Sequence, residues 1–363
     1  MTEPLQISML PAKEGDCLLI EYGEKNNRKY VLIDGGRAWT YRNALKQTLE
    51  EKKIKQLELL VVTHVDRDHI DGVQEMLQDQ DLNLLVKEVW FNTFAHLNDE
   101  IVSRPQKNEL ESFSVKMGES FSRSILLKGW PWNEKFGGSA VKFENAPDPI
   151  SISGLNIQLL SPDSEKLTAM KNTWELECKK AGLKPGFGVE ENNTRDENVE
   201  AFATLDVKSL ADTPFEPDKT IPNGSSIAFI LEYCGKRVLF GGDAHVDLLI
   251  ASLTSIGARK DSPFKLDAIK IPHHASKGNV SKDLLDLIEC KRFLISSNGN
   301  YFEHPSDIAI ARIIKFSEPG LTFYFNYKTK YNKHWEKAYY RDKYKYSVVF
   351  PTQVKNGYLT ITL

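Results

Sequence analysis

Leu57-Glu58-Leu59-Leu60-Val61-Val62-Thr63-His64-Val65-Asp66-Arg67-Asp68-His69-Ile70-Asp71-Gly72 is the stretch on which the reading of this chain turns. Its first half is a run of branched apolar residues, the composition of a buried β-strand. Its second half places His64, Asp66, Asp68 and His69 within six positions. A strand that ends in histidines and aspartates makes a poor core. It holds a metal well, because the strand fixes the backbone while the loop aims the side chains. The plainer explanation is a solvated turn that caps a helix beginning near Asp71, but two histidines flanking two aspartates are more than capping requires. Imidazole nitrogen and carboxylate oxygen suit Zn²⁺, Mn²⁺ or iron rather than a thiolate-seeking metal. On extended backbone, residues two apart face the same way. His64, Asp66 and Asp68 are therefore expected at one site and His69 at a second, which means two ions.

Composition narrows the classes. With 363 residues the chain can form one large domain or two modest ones. A net charge of −3 does not by itself announce a nucleic-acid binder. No apolar run has the length of a membrane-spanning helix. Met1-Thr2-Glu3-Pro4 lacks the basic region and apolar core of a secretion signal. Cys17, Cys178, Cys234 and Cys290 are scattered, as small buried residues in a reducing compartment would be. The expected location is the cytoplasm, with no membrane partner.

Outward from the cluster, Leu5–Leu10, Cys17–Tyr22 and Arg28–Ile33 read as strands of a meander, the last closing on Asp34-Gly35-Gly36. Tyr41–Lys55 and Val73–Leu82 read as helices, and Leu84–Phe91 as a strand. His96 reads as a surface or wall residue, and Trp130 and Trp132 either flank a cleft or pack a loop. The polar region at about 163–222, with the charged run Glu190–Asn198, reads as an insertion, either a solvated loop or a lid that a protein partner gates. Ile227–Tyr233 and Lys236–Phe240 form a hairpin that runs into Gly241-Gly242-Asp243, which places a carboxylate at a strand end where a bridging ligand belongs. His245 reads as the surface of the helix that follows. Leu266–Ile271 ends in Pro272-His273-His274-Ala275-Ser276-Lys277. There one histidine is expected to ligate, His274 by preference, with Ser276 and Lys277 placed to hold an anionic oxygen. Leu284–Cys290 reads as a helix, and Ser347–Phe350 with Tyr358–Leu363 as a closing hairpin. The segment at about 327–346 interleaves seven cations with aromatics such as Tyr331, Trp335 and Tyr339. That pattern suits a nucleic-acid backbone with stacked bases, and equally an amphipathic edge with its aromatics turned inward.

These landmarks resemble the metallo-β-lactamase fold hydrolases, which carry His-x-His-x-Asp-His at the position of His64–His69. Asp66 stands where most members have the second histidine. That variant resembles the branch containing the hydrolase domain of bacterial DNA-uptake competence channels. The resemblance implies a four-layer αββα sandwich over 1–363 as a single domain, with two divalent ions, Zn²⁺ or Mn²⁺, at one edge. It assigns Asp34 to orienting ligands and Asp243 to bridging. It puts His64 and Asp66 on one ion, and Asp68, His69 and His274 on the other, with the neighbouring His273 behind or on substrate. The element Asn300-Tyr301-Phe302-Glu303-His304-Pro305 resembles an Asn-x-aromatic-x-His-Pro element of that branch. It makes Asn300 a substrate contact and His304 a catalytic group beside Asp68 and Asp34. The family's additional metal histidine has no clear equivalent here, and Ala275 replaces a glycine. Because Asp66 adds charge and oxygen, the expected reaction is hydrolysis of a phosphodiester, of the nuclease type, by a metal-activated water. Two alternatives stay open: hydrolysis of a lactone or other carbonyl substrate, and a binding module that keeps the fold without turnover.

Overall fold

The structure is a computed structural model in which residues 4–102, 120–180 and 205–363 are described. The charged run Glu190–Asn198 and the first part of Leu110–Lys128, a stretch whose sequence could form a helix, lie outside those residues.

The main segments of the first half are β1 (Gln6–Met9), β2 (Leu18–Glu24), β3 (Asn27–Ile33), α1 (Ala38–Glu51, with a π-helical middle at Tyr41–Leu45), β4 (Leu59–Val61), α2 (Arg67–Gln78), β5 (Val89–Trp90) and α3 (Ser120–Lys128), with β6 (Ile150–Ile152) opening the second. The second half continues with β7 (Leu155–Ser161), α4 (Ser164–Lys180), β8 (Ala228–Tyr233), β9 (Lys236–Phe240), α5 (Val246–Ser255), β10 (Ala268–Lys270), β11 (Arg292–Ile295), α6 (Asp307–Phe316), β12 (Leu321–Phe325), β13 (Tyr346–Val349) and β14 (Leu359–Thr362). One sheet runs β14-β1-β2-β3-β4-β5 and the other β13-β12-β11-β10-β9-β8-β7-β6. Each begins as an antiparallel meander and turns parallel, at β3/β4 in the first sheet and at β9/β10 in the second.

Alternation along the strands builds the layers. Leu18, Ile20, Val31, Ile33, Leu59 and Val61 meet Phe229, Leu231, Val238 and Phe240 between the sheets. Leu19, Leu32 and Leu60 turn outward to the layer with α1 and α2. Leu239, Ile269 and Phe293 turn outward to α5 and α6. Three apolar interfaces and four layers result, as the αββα expectation requires.

Several local expectations change. The closing pair is not a hairpin: β13 joins β12 in parallel, while β14 crosses to pair with β1 and seats Ile361 between the sheets. Leu284–Cys290 splits into a short helix, Lys282–Asp286, and a strand, Ile288–Cys290, where alternate apolar residues pair with Phe264–Leu266. Trp130 and Trp132 are buried, with the Trp132 indole N–H donating to Phe91 O at 2.9 Å, so they build wall rather than line a cleft. His96 is buried against Trp132, with ring centres 5.1 Å apart, and burial pushes its pKa down to about 3. His245 is buried before α5, its Nε2 2.9 Å from Thr220 O. In the cation-rich segment, Tyr327, Trp335, Tyr340 and Tyr346 turn inward, while Tyr339 stays exposed. Among the described residues no helix is long and apolar enough to cross a membrane.

Candidate metal centre

Both switches to parallel pairing put strand C-termini on one edge, and every candidate ligand follows such an end: Asp34 after β3, His64–His69 after β4, Asp243 after β9, and His273-His274 after β10. Open sheets collect sites at this edge because successive loops converge there.

The loop after β4 is shorter than the extended reading implied. α2 starts at Arg67 with Asp66 as the residue before it, so Asp68 and His69 occupy its first turn. A helical turn, not alternation, brings these two to the same basin as His64. The approach needs glycine opposite. A Cβ on Gly15 would stand 1.7 Å from Asp68 O, and one on Gly72 2.0 Å from Gly35 O.

Asp34 organises the loop from below at φ 57. Its Oδ1 accepts the Thr63 N–H at 2.8 Å and its Oδ2 the Thr63 hydroxyl, also at 2.8 Å. The same Oδ2 lies 2.8 Å from His69 Nδ1. A carboxylate only accepts, so His69 Nδ1 carries its proton there and Nε2 keeps the lone pair in the neutral ring. Thr63 Oγ1 has given its hydrogen to Asp34, so at 2.9 Å it accepts from His64 Nδ1. His274 Nδ1 donates to Ser296 O at 2.7 Å. The partners of all three rings thus dictate the same tautomer, with Nε2 as a free acceptor.

Those three Nε2 atoms, with Asp243 Oδ1, are buried and have no hydrogen-bond partner. His69 Nε2 is 3.5 Å from Asp243 Oδ2 and 3.9 Å from Asp68 Oδ2. His274 Nε2 is 3.7 Å from Asp243 Oδ1 and 3.8 Å from Asp68 Oδ2, and His64 Nε2 is 3.6 Å from Asp66 Oδ2. Ligands about 2.1 Å from a tetrahedral ion stand about 3.4 Å from one another. Orphaned acceptors at nearly that spacing fit divalent cations. His64, His69 and Asp243 form one group, and Asp68, His69 and His274 another, so His69 and Asp243 stand in the middle of a row with two ends.

Asp243 follows two glycines for steric reasons. A Cβ on Gly241 would lie 2.7 Å from Pro272, and one on Gly242 2.5 Å from Ser226 Oγ, the atom that accepts the Asp243 N–H at 3.0 Å. Burial would raise its carboxyl pKa, but His69, His274 and His273 hold it well below the usual range. The same field acts on His69. Burial alone would lower its pKa, and Asp243, Asp34 and Asp68 raise it well above normal. An anionic basin that draws a proton onto His69 also attracts cations.

Four contributors were not assigned to the site from sequence, although Gly15-Asp16 does match the opening hairpin of the family the chain resembles. Asp16 is buried with Oδ1 unpartnered 3.6 Å from His274 Nδ1, and its Oδ2 pairs with fully buried Lys270 Nζ at 2.5 Å. A lysine inside the apolar run Leu266–Ile271 was the available signal. Asp218, near the C-terminal end of the polar insertion, lies 3.1 Å from His273 Nδ1. Asn279 Oδ1 is 3.0 Å from that nitrogen, and Asn279 Nδ2 donates to Ala244 O at 3.1 Å. His273 Nε2 therefore faces Asp243 Oδ2, 3.8 Å away, from the outer rim. His304 sits above, its ring centre 5.2 Å from His273 and 6.4 Å from His274. Ser276 is half-buried and its hydroxyl accepts the Gly278 N–H at 3.4 Å, while Lys277 and Asn300 are exposed.

Residues 11–136 match the family model described as Metallo-beta-lactamase superfamily, and they contain β2–β5, Asp34 and the whole His64–His69 loop. The chain has the metallo-β-lactamase fold. ComE operon protein 3 of Bacillus subtilis (strain 168) is similar at 20% identity over 348 residues, 90% of this chain and 33% of that protein. The chain thus spans about a third of the length of this curated relative. Zn²⁺-bound PqqB from Methylobacterium extorquens is similar at 10% identity with a TM-score of 0.40, covering 99% of this chain and 100% of that one. A diphosphatase from the PhnP family is similar at 9% identity with a TM-score of 0.37, covering 99% and 98%. Among metallo-β-lactamase folds most members hydrolyse and most bind divalent metals, and the His/Asp clusters here are of that kind.

Proposed function

We propose that this chain is a metal-dependent phosphodiesterase acting on nucleotide-type substrates. The observation that carries the reading is the mixed donor row, in which Asp68 and Asp243 stand with His64, His69 and His274 around unpartnered acceptor atoms, and Asp66 Oδ2 lies 3.6 Å from His64 Nε2 at its end. His64 and Asp66 would hold one divalent ion, Asp68 and His274 a second, with His69 and Asp243 between them. When bound, the pair supplies an activated water and neutralises charge that develops on phosphorus-bound oxygens. Carboxylate ligands favour Mn²⁺ or Zn²⁺ and leave a harder site than imidazole alone.

The chain's own groups do the positioning. Asp34 and Ser296 fix the ring orientations of His69 and His274 through Nδ1. Asp68 Oδ2, close to both of those Nε2 atoms, orients the attacking water. Burial and then the neighbouring His273 push the His304 pKa down to about 4, so its imidazole is neutral at pH 7. A neutral ring donates an N–H to a phosphoryl oxygen but is a weak acid for a leaving group. The His-x-Asp-x-Asp-His pattern, which resembles the branch containing the hydrolase domain of bacterial DNA-uptake competence channels, supports a nucleic-acid substrate over a lactone.

The test is hydrolysis of bis-p-nitrophenyl phosphate, single-stranded oligonucleotides and a lactone panel, with Mn²⁺ and Zn²⁺ titrated. Metal-dependent phosphodiester cleavage is expected. It should be lost in Asp68→Ala and Asp243→Ala, which keep wild-type circular dichroism. Lactone turnover without phosphodiester turnover overturns the reading, as does full activity in either variant.

A further inference from the structure

The loop carrying His304 leaves the basin as a file of rings. His304 stacks toward His274 at 6.4 Å with 27° between planes. Phe302 stacks with His304 at 6.0 Å and 24°. Tyr301 meets Phe302 edge-on at 4.9 Å. Exposure rises along the file, from half-buried His304 to Phe302 at 49% and Tyr301 at 69%.

This loop is held from beneath. Gly299 has φ 74, and a Cβ there would stand 2.3 Å from the Tyr331 ring, so Tyr331 packs directly on its backbone. Asn298 N–H donates to Lys13 O at 2.7 Å and Glu303 N–H to Gly299 O at 2.9 Å. The Tyr331 hydroxyl reaches Glu303 Oε1 at 3.4 Å. Two cations flank the supports, Lys330 Nζ 5.0 Å over the Tyr331 ring and Lys13 Nζ 5.2 Å over Trp39. Large aromatic faces held in water by a fastened backbone lose hydrophobic stabilisation unless something planar covers them.

The file starts at the candidate metals and ends in solvent, which identifies its occupant. A substrate with its phosphodiester in the basin lays its adjoining group along these rings, and lysines border the path of its anionic backbone. We propose that residues 298–304 form a base-stacking subsite, in which Phe302, backed by Tyr301, covers the face of an unpaired nucleobase next to the scissile phosphate. The inference rests on the phosphodiesterase reading and narrows it. A base inside a duplex offers no free face, so the substrate is single-stranded nucleic acid or a small nucleotide diester. The aromatic-rich segment at 327–346 contributes support through Tyr331 rather than the stacking surface itself.

The test is steady-state cleavage by the full, metal-loaded chain of an oligothymidylate, a same-length abasic phosphodiester oligomer, the matching duplex and a dithymidine monophosphate. For wild type, kcat/KM is expected to be highest on unpaired, base-bearing substrates. In Phe302→Ala the thymidylate-to-abasic ratio of kcat/KM should fall about tenfold, mostly through KM, as the loss of one stacked base implies. Phe302→Trp should retain the ratio. A fall on both the dinucleotide and the polymer assigns the site to nucleotides generally, and a fall on the polymer alone assigns it to single strands. An unchanged ratio in Phe302→Ala overturns the subsite while leaving the phosphodiesterase standing. Absence of phosphodiester cleavage by wild type overturns both.

Discussion

Asp34 shows how far one side chain carries the site. Its two oxygens fix Thr63 and His69, and through Thr63 the tautomer of His64. In the sequence Asp34-Gly35-Gly36 is a strand-end turn like many others, and its role became legible only beside the His64–His69 cluster. Asp16 and Lys270 were harder to see, because a buried ion pair joins residues 254 positions apart and has no local pattern. At this scale the electrostatics make a prediction. His69 holds its proton well above the ordinary imidazole range because three carboxylates outweigh its burial, and it must release that proton to ligate. Metal affinity should therefore rise with pH, about tenfold per unit for each proton displaced, and fall on acidification. Chelator competition with Mn²⁺ or Zn²⁺ at pH 6, 7 and 8 checks this, and a flat profile contradicts it.

At the scale of elements, the strand-end positions of the ligands were readable because branched apolar runs identify β3, β4, β9 and β10. The geometry after those ends was not. α2 begins earlier than the apolar spacing suggested, which exchanges an extended ligand array for a helical first turn. After β10, His273, His274 and Ala275 all have positive φ, at 47°, 52° and 65°. Left-handed residues without glycine cost about 1 kcal/mol each and persist where surroundings over-determine them. Asp218 supplies part of that constraint. It holds His273 from outside, while its own N–H donates to Gly278 O at 3.1 Å. The insertion read as a lid or a solvated loop thus ends in a brace. Because His273 stands 3.8 Å from the ligand Asp243, freeing it in Asp218→Ala should weaken metal binding by up to about tenfold, the scale of losses behind the ligands. It should also raise KM more than it lowers kcat, while the thermal midpoint moves by a few degrees at most. Wild-type metal affinity in this variant would assign Asp218 to loop structure alone.

For the molecule as a whole, the four layers were implied by the family resemblance that the ordered landmarks carry, and the strand-rich pattern of each half agreed with it. The destinations of the last strands were not legible, because β13 and β14 have similar composition and differ only in which open edge receives them. Glu88, next to β5, offers a measure of how tightly the first layers close. Burial pushes its carboxyl from the ordinary 4.5 up to about 7, although the Lys135 and Trp90 N–H groups donate to it. A raised acid favours the folded state when protonated. Its contribution is therefore fully present below pH 4.5 and lost as pH rises toward about 7. Glu88→Gln should remove that loss and stabilise the protein above pH 7, by about 3 kcal/mol at most. Denaturant unfolding of both proteins at pH 5 and pH 8 reads the difference.

The proposed chemistry depends on the donor row acting as a two-ion centre. The most direct measurement is elemental analysis of protein purified without added metal, followed by equilibrium titration of the stripped protein with Mn²⁺ and with Zn²⁺. Two equivalents per chain, with both affinities reduced in Asp243→Ala, is the predicted result. Fewer than one equivalent with either ion, or two equivalents indifferent to Asp243, would contradict it.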